Sequence, residues 1–302
     1  MFRRWRTILM TGVVTALVAV SALGVEDIVR FGVFTDLHAH DLDSPLEGKW
    51  MTNTEERLTA FTEAMNRSRP DFVIQLGDFV NGWVVLGTDP GSPDRIPEIL
   101  AWADAQFAAF QGPRYHVIGN HDVYNLDKAT LRAVLGMERT SYSFDVGPFH
   151  FVVLDVQYGL DGKDLEHTYT GVSGYVPDAL LAWLESDLAE ARGRPTLVFV
   201  HQMLNEVVIE WNRALIANQA EVQHVLEQAG HVVAVLQGHD HAYSHELIGG
   251  IHYVTLEALV DQGTPPSWAL VTLDAVSQIV RVDGFGEQPS LEFTYSLVPP
   301  AD

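Results

Sequence analysis

The chain has 302 residues, of which 47% are hydrophobic and 19% charged, with no cysteine. That composition buries a sizeable core and excludes a disordered chain, a collagen and a polytopic membrane protein; the missing thiols exclude a disulfide framework, a cysteine nucleophile and a thiolate metal site. Eighteen Lys and Arg face 40 Asp and Glu, a net charge of −22, which opposes binding to nucleic acid or an anionic membrane.

Residues 2–6 are basic, 8–20 are apolar and uncharged, and small residues follow at Ser21, Ala22 and Gly24. This is the pattern of a secretory signal peptide, with an apolar run shorter than the roughly 20 residues needed to span a bilayer. Cleavage after Ala22 or after Gly24 fits equally. Residues 1–24 are thus expected to direct export, periplasmic or extracellular, and residues 25–302 to form a single domain with no stable membrane insertion. An uncleaved segment anchoring the chain is the alternative. Removing 1–24 takes away 3 Arg and no acid, so 15 cations remain against 40 acids.

Beyond the leader, short apolar runs at 28–35, 71–76, 114–118, 150–154, 196–200 and 231–236 suit strands buried on both faces. Amphipathic stretches at 54–68, 97–110, 178–191 and 219–228 alternate with them and predict helices. The alternation predicts a layered α/β fold. Strand-like runs at 251–256, 268–273 and 278–285, with no helix between them, predict a β-meander completing a second sheet. Three long connections, 79–96, 155–176 and 202–213, carry Trp83, Tyr158, Tyr169, Tyr175 and Trp211. Loops of that length are usually functional or disordered. Their aromatics suit either stacking on a base or sugar, or anchoring their own loops.

The chemistry lies at the strand ends. The first strand ends in Asp36-Leu37-His38, the second in Gly77-Asp78, the third in Gly119-Asn120-His121-Asp122, another in His201, and the last in Gly238-His239-Asp240-His241. Ligands of open α/β sheets bind beyond the carboxyl ends of the strands. In extended chain, residues two apart face the same side, so Asp36 and His38 would share one metal and His239 and His241 would project together. Carboxylate, carboxamide and imidazole donors suit Mn, Fe, Zn or Co, and Asp78 has two oxygens with which to bridge a pair of ions. His40, Asp41 and Asp43 would line the pocket mouth or form a solvated loop, and His245 and His252 read as structural.

These blocks resemble the five-block signature of the calcineurin-like metallophosphoesterases. The resemblance spans about residues 31–241. It implies a four-layer α-β-β-α sandwich of two mixed sheets around a dinuclear metal centre. By position, Asp36, His38 and His241 would hold one ion, and Asn120, His201 and His239 the other. Asp78 would bridge them, and His121 would sit by the leaving group as general acid. Asp122 would orient His121 or a ligand, or merely cap its loop. The flanks Gly77-Asp78-Phe79-Val80-Asn81-Gly82 and Trp211 through Gly238-His239-Asp240-His241 to Glu257 are similar to a narrower branch, the manganese-dependent ADP-ribose/CDP-alcohol diphosphatases, which favours Mn. Animal members of that branch carry Gln where this chain has His38.

The resemblance implies hydrolysis of a small phosphate ester or anhydride, such as a nucleotide-derived diphosphate, by in-line attack of a metal-bridging water. A broad phosphomonoesterase or phosphodiesterase of the alkaline phosphatase type is the alternative, and a non-catalytic metal-binding module a remoter one. The expected partners are two divalent ions and a small phosphorylated substrate, with no nucleic acid.

Overall fold

A computed structural model describes residues 27–40, 53–82, 95–167, 174–205, 216–260 and 265–297. The leader expected at 1–24, together with Asp41, Asp43, Trp83, Tyr169 and Trp211, lies outside the described residues. In chain order the elements are β1 (Ile28–Phe34), α1 (Thr54–Ser68), β2 (Phe72–Gln75), α2 (Ile96–Phe107), β3 (Arg114–His116), α3 (Lys128–Leu135), β4 (Tyr142–Val146) and β5 (Phe149–Val153). Then follow α4 (Asp178–Glu190), β6 (Thr196–Phe199), α5 (Gln219–Ala229), β7 (Val232–Gln237), β8 (Ser244–Ile248), β9 (Ile251–Thr255), β10 (Trp268–Asp274), β11 (Ile279–Phe285) and β12 (Leu291–Thr294). Among the described residues no helix is long and apolar enough to cross a membrane.

The helices begin and end where local chemistry directs. α1 carries Glu55 and Glu56 in its first turn and Arg67 in its last, matching the helix dipole. Asp127 caps α3 by accepting from the Thr130 N–H at 2.6 Å, and Gly136 ends it at φ 67°.

The strands form two six-stranded sheets, β12-β11-β10-β1-β2-β3 and β4-β5-β6-β7-β9-β8. Both are mixed. β1, β2 and β3 run parallel, as do β5, β6, β7 and β9, while β10 pairs antiparallel with β1. The facing sheets bury one apolar layer between them. At its centre Phe31 stacks on Phe72 with ring centroids 4.9 Å apart and meets Phe151 and Phe199 edge-on. Leu58, Phe61 and Met65 of α1 and Leu100 and Phe107 of α2 cover the outer face of the first sheet. Leu184 and Leu188 of α4 and Val222 and Leu226 of α5 cover the second. The result is the four-layer α-β-β-α sandwich.

The C-terminal strands correct one expectation. They do not form a single meander in a second sheet. β9 joins the second sheet parallel to β7, whereas β10, β11 and β12 complete the first sheet beside β1. A tight Gly249-Gly250 turn folds β8 back on β9, and antiparallel pairing with β1 draws β10 to the opposite layer.

Candidate metal centre

Parallel pairing places the motifs side by side. The β1–β2 ladder continues past the strand ends: Asp36 N–H donates to Gly77 O (3.1 Å), His38 N–H to Asp78 O (2.8 Å) and Ala39 N–H to Phe79 O (3.0 Å). In the other sheet Gly238 N–H donates to His201 O at 3.0 Å. The His201 ring crosses the seam, its Nδ1–H donating to Leu76 O of the first sheet at 2.8 Å. The site therefore sits where the carboxyl ends of β1, β2, β3, β6 and β7 meet.

The local backbone is not the extended chain expected. Asp36, His38, Asp78, His239 and His241 all take positive φ, at 54°, 48°, 51°, 72° and 63°. Each left-handed non-glycine residue costs roughly 1 kcal/mol or more. The Asp-x-His and His-x-His side chains converge through this turned backbone, not through strand alternation. One motif glycine has a steric reason: a Cβ on Gly119 would collide with the Asp78 amide nitrogen and carboxylate.

Three groups of donor atoms lie within 4.8 Å of one another: Asp36 with His38 and His241, Asp78 with His201 and His239, and His38 with Asp78 and His121. In the first, His38 Nε2 and His241 Nε2 are 3.2 Å apart, and Asp36 Oδ1 lies 3.2 Å from His241 Nε2 and 3.5 Å from His38 Nε2. Three ligands about 2.1 Å from one ion are spaced roughly 3.0–3.4 Å from each other, so this triangle fits a divalent cation. Asp78 Oδ2 lies between the groups, 3.2 Å from His201 Nε2 and 3.6 Å from His38 Nε2. Its Oδ1 accepts from the His121 N–H at 2.7 Å.

The remaining bonds aim these donors. Asn81 Oδ1 accepts from His38 Nδ1–H at 2.9 Å, which leaves the Nε2 lone pair for a ligand. Asp36 Oδ2 accepts from Thr35 Oγ1 (2.6 Å) and His239 N–H (3.0 Å), turning Oδ1 inward. Asn120 Nδ2 donates to the Tyr124 hydroxyl at 2.7 Å. Asp36 Oδ1, Asn120 Oδ1 and His201 Nε2 are buried and make no hydrogen bond. Buried polar atoms left without a hydrogen bond are costly unless something binds them, and this donor set suits a hard to borderline cation.

The electrostatics agree. Burial alone would raise the Asp36 and Asp78 carboxyls, but His241 and His201 hold Asp36 well below the usual carboxylate range, and His201, His121 and His38 do so for Asp78. Burial opposes a charge on His201, yet Asp78 and Asp36 push it up to about 9. Because Nδ1–H serves Leu76, the contested proton is on Nε2, where a bound cation would displace it. Burial and the His201 charge push His239 down to about 3, which keeps its lone pair open.

His121 Nδ1–H donates to Gly82 O at 3.2 Å, and its ring meets His38 edge-on at 4.6 Å. Asp122 does not turn its carboxylate to a ligand. It accepts from Val80 N–H (3.0 Å) and Gly119 N–H (2.8 Å), pinning the Asp78 and Asn120 loops together. Burial and the Asp78 charge push it up to about 7, against those two bonds. His40 is buried, not solvated. His245 and His252 bond to each other at 2.9 Å and stack beside Phe293, apart from these groups. The Tyr158 ring lies under Lys128 Nζ, anchoring its own loop. Sequence reasoning gave no role to Thr35, Asn81 or Tyr124. Only Asn81 had a visible signal, since it lies in the Gly77–Gly82 stretch.

The layered fold and the donor-lined seam define the class, a metallophosphoesterase hydrolase. The match of the calcineurin-like phosphoesterase family to residues 29–243 gives the membership: the chain belongs to that family. It is 28% identical over 229 residues to a manganese-dependent ADP-ribose/CDP-alcohol diphosphatase of Oryza sativa, covering 63% of this chain and 69% of that one. It is 26% identical over 231 residues to a 3',5'-cyclic-nucleotide phosphodiesterase of Nostoc, covering 75% and 76%. Among solved structures, a dimetal phosphatase of Danio rerio superposes with a TM-score of 0.73 at 21% identity, over 89% of this chain and 99% of that one, and so shares its fold.

Proposed function

We propose that the chain hydrolyses small phosphate anhydrides or esters at a two-metal centre, with a nucleoside-diphosphate derivative such as ADP-ribose as the favoured substrate. The observation that carries the reading is Asp78, whose Oδ2 lies 3.2 Å and 3.6 Å from imidazoles of two separate donor groups. A carboxylate so placed suits a bridge. Asp36, His38 and His241 would hold one ion, and Asn120, His201 and His239 the other. When bound, two divalent ions, with manganese favoured, supply Lewis-acid charge for the phosphoryl oxygens and acidify the attacking water.

The chain's own groups do the rest. His38 and His201 are fixed by Asn81 and Leu76 so that neither ring must reorient. As the water oxygen bonds to phosphorus, the bond to the leaving oxygen breaks, and His121 Nε2 delivers a proton to that oxygen. Its Nδ1–H stays on Gly82, which holds the ring in place. Asp122 acts as a positioning residue by fixing the two loops.

The rice relative supports the diphosphatase reading, and the Nostoc relative favours a second one, a phosphodiesterase or broad phosphatase. The full chain, stripped of metal and resupplied with Mn²⁺, separates them on ADP-ribose, p-nitrophenyl phosphate and bis-p-nitrophenyl phosphate. Preference for ADP-ribose with release of AMP is expected. Preference for either nitrophenyl ester overturns the diphosphatase assignment, and no hydrolysis of any overturns catalysis.

The basic, apolar and small-residue pattern of 1–24 supports export, with 25–302 as one catalytic unit. The mature N-terminus is then Leu23 or Val25. A secreted fraction or membrane fraction that retains Met1 refutes cleavage.

A further inference from the structure

A cavity of about 290 Å³ opens between α3, the segment before β4, the loop after β5 and the start of α4. None of the proposed metal ligands lines it. Its walls include Lys128, Arg132, Arg139, Ser141, Asp164 and Trp183. Lys128 is consumed within the wall: Nζ lies 2.7 Å from Asp155 Oδ2 and 2.8 Å from Asp164 Oδ1, and 3.4 Å above the Tyr158 ring. One ammonium between two carboxylates leaves a net charge of −1 there, against which the two arginines bring +2.

The two arginines differ. Both are exposed, and among the described residues neither guanidinium has an ion pair or hydrogen bond. Acids outnumber bases 40 to 18 in this chain, so an arginine finds a carboxylate easily, as Arg114, Arg194 and Arg281 do. Two unpaired guanidiniums at one cavity form an unspent positive site. Ser141 Oγ accepts from the Asp155 N–H at 2.9 Å, so its own proton is available to donate. Paired guanidinium forks and a hydroxyl match the oxygens of a phosphate, and Trp183 offers an aromatic wall beside it.

We infer that this cavity is a second anion site, separate from the metal centre, which takes free phosphate or the phosphate of a nucleoside monophosphate on Arg132, Arg139 and Ser141. The volume suits a phosphate with a modest attached group. The wall is tied to the centre: Asp155 Oδ1 accepts from Gln157 N–H at 2.8 Å, and the Gln157 amide bonds Gln202, beside His201, at 2.6 Å.

Calorimetric titration of the metal-stripped full chain with inorganic phosphate, and separately with AMP, tests it. One saturable site is expected. It should weaken at least tenfold in Arg132→Gln/Arg139→Gln, less in the double Lys variant, and not at all in His239→Ala. AMP binding tenfold or more tighter than phosphate would identify the nucleotide as the source; equal binding would identify free phosphate. Because both arginines are exposed, the thermal midpoint should stay at the wild-type value. Absence of binding to wild type up to about 10 mM of either probe, or equal binding by wild type and the double Gln variant, overturns the inference.

Discussion

Asn81→Ala tests how the first donor group is held together. Asn81 is buried, and its Oδ1 accepts from His38 Nδ1–H at 2.9 Å. That bond selects the tautomer with a lone pair on Nε2, the atom 3.2 Å from His241 Nε2 and 3.5 Å from Asp36 Oδ1. Without it the ring can carry its proton on Nε2, where it blocks a cation. Removing such an orienting partner typically costs 10–100-fold in metal affinity, or about 1.4–2.7 kcal/mol. The orphaned Nδ1–H, buried with its ring, should cost the metal-free fold about 1–3 kcal/mol as well. The two effects separate in two measurements: Mn²⁺ titration by calorimetry, and the thermal midpoint of the metal-stripped chain. Asn81→Asp keeps an acceptor and should retain or tighten metal binding. If Asn81→Ala binds Mn²⁺ as wild type does, or if Asn81→Asp weakens it equally, the tautomer argument fails.

His121→Ala should lower kcat about 10²–10⁴-fold and leave the Mn²⁺ content measured by elemental analysis unchanged; loss of one equivalent would make His121 a ligand instead of the acid. His150, away from the centre, predicts a pH effect on stability. Burial would lower its pKa, but Asp187 and Asp145, at 2.9 and 2.7 Å, raise it above the ordinary 6.5. The folded state thus binds this proton more tightly than the unfolded chain. The stabilisation is complete below pH 6.5 and is lost as pH rises through the higher folded value. His150→Asn should cost about 2 kcal/mol at pH 6, mainly through the bond to the better-buried Asp187. Its thermal midpoint should then fall less than wild type's between pH 6 and pH 9, and parallel pH curves for the two proteins would refute the assignment.

The local part of this protein was legible in the sequence. Apolar spacing depends only on a helix's own turn, so the stretch 54–68 coincides with α1 (Thr54–Ser68). Nearly continuous Val, Ile and Phe runs likewise marked the buried strands β2, β5, β6 and β7, although the run at 114–118 became the partly buried edge strand β3, and the order of Asp, Asn and His at the strand ends marked the edge where the donor groups converge. Four elements had weaker local signals, among them the four-residue, partly exposed β12. β4 is a half-exposed edge strand that alternates poorly, β8 is another partly exposed edge, and α3, at eight residues, spans barely two turns. Its Asp127 cap and Gly136 stop were the signs available.

Only the tertiary structure decided which sheet each C-terminal strand joins. Antiparallel pairing to β1 joins residues some 240 positions apart, as in Ile28 opposite Asp274, and no local pattern encodes that choice. The left-handed turns at Asp36, His38, Asp78, His239 and His241 are likewise tertiary. Nothing in those residue types favours positive φ strongly enough by itself. The turns persist because distant bonds hold them, from His38 N–H to Asp78 O, from His239 N–H to Asp36 Oδ2 and from His121 N–H to Asp78 Oδ1. Local spacing marked the candidate donors; packing of two sheets across one seam brought the side chains of five strand ends together into groups that could hold ions.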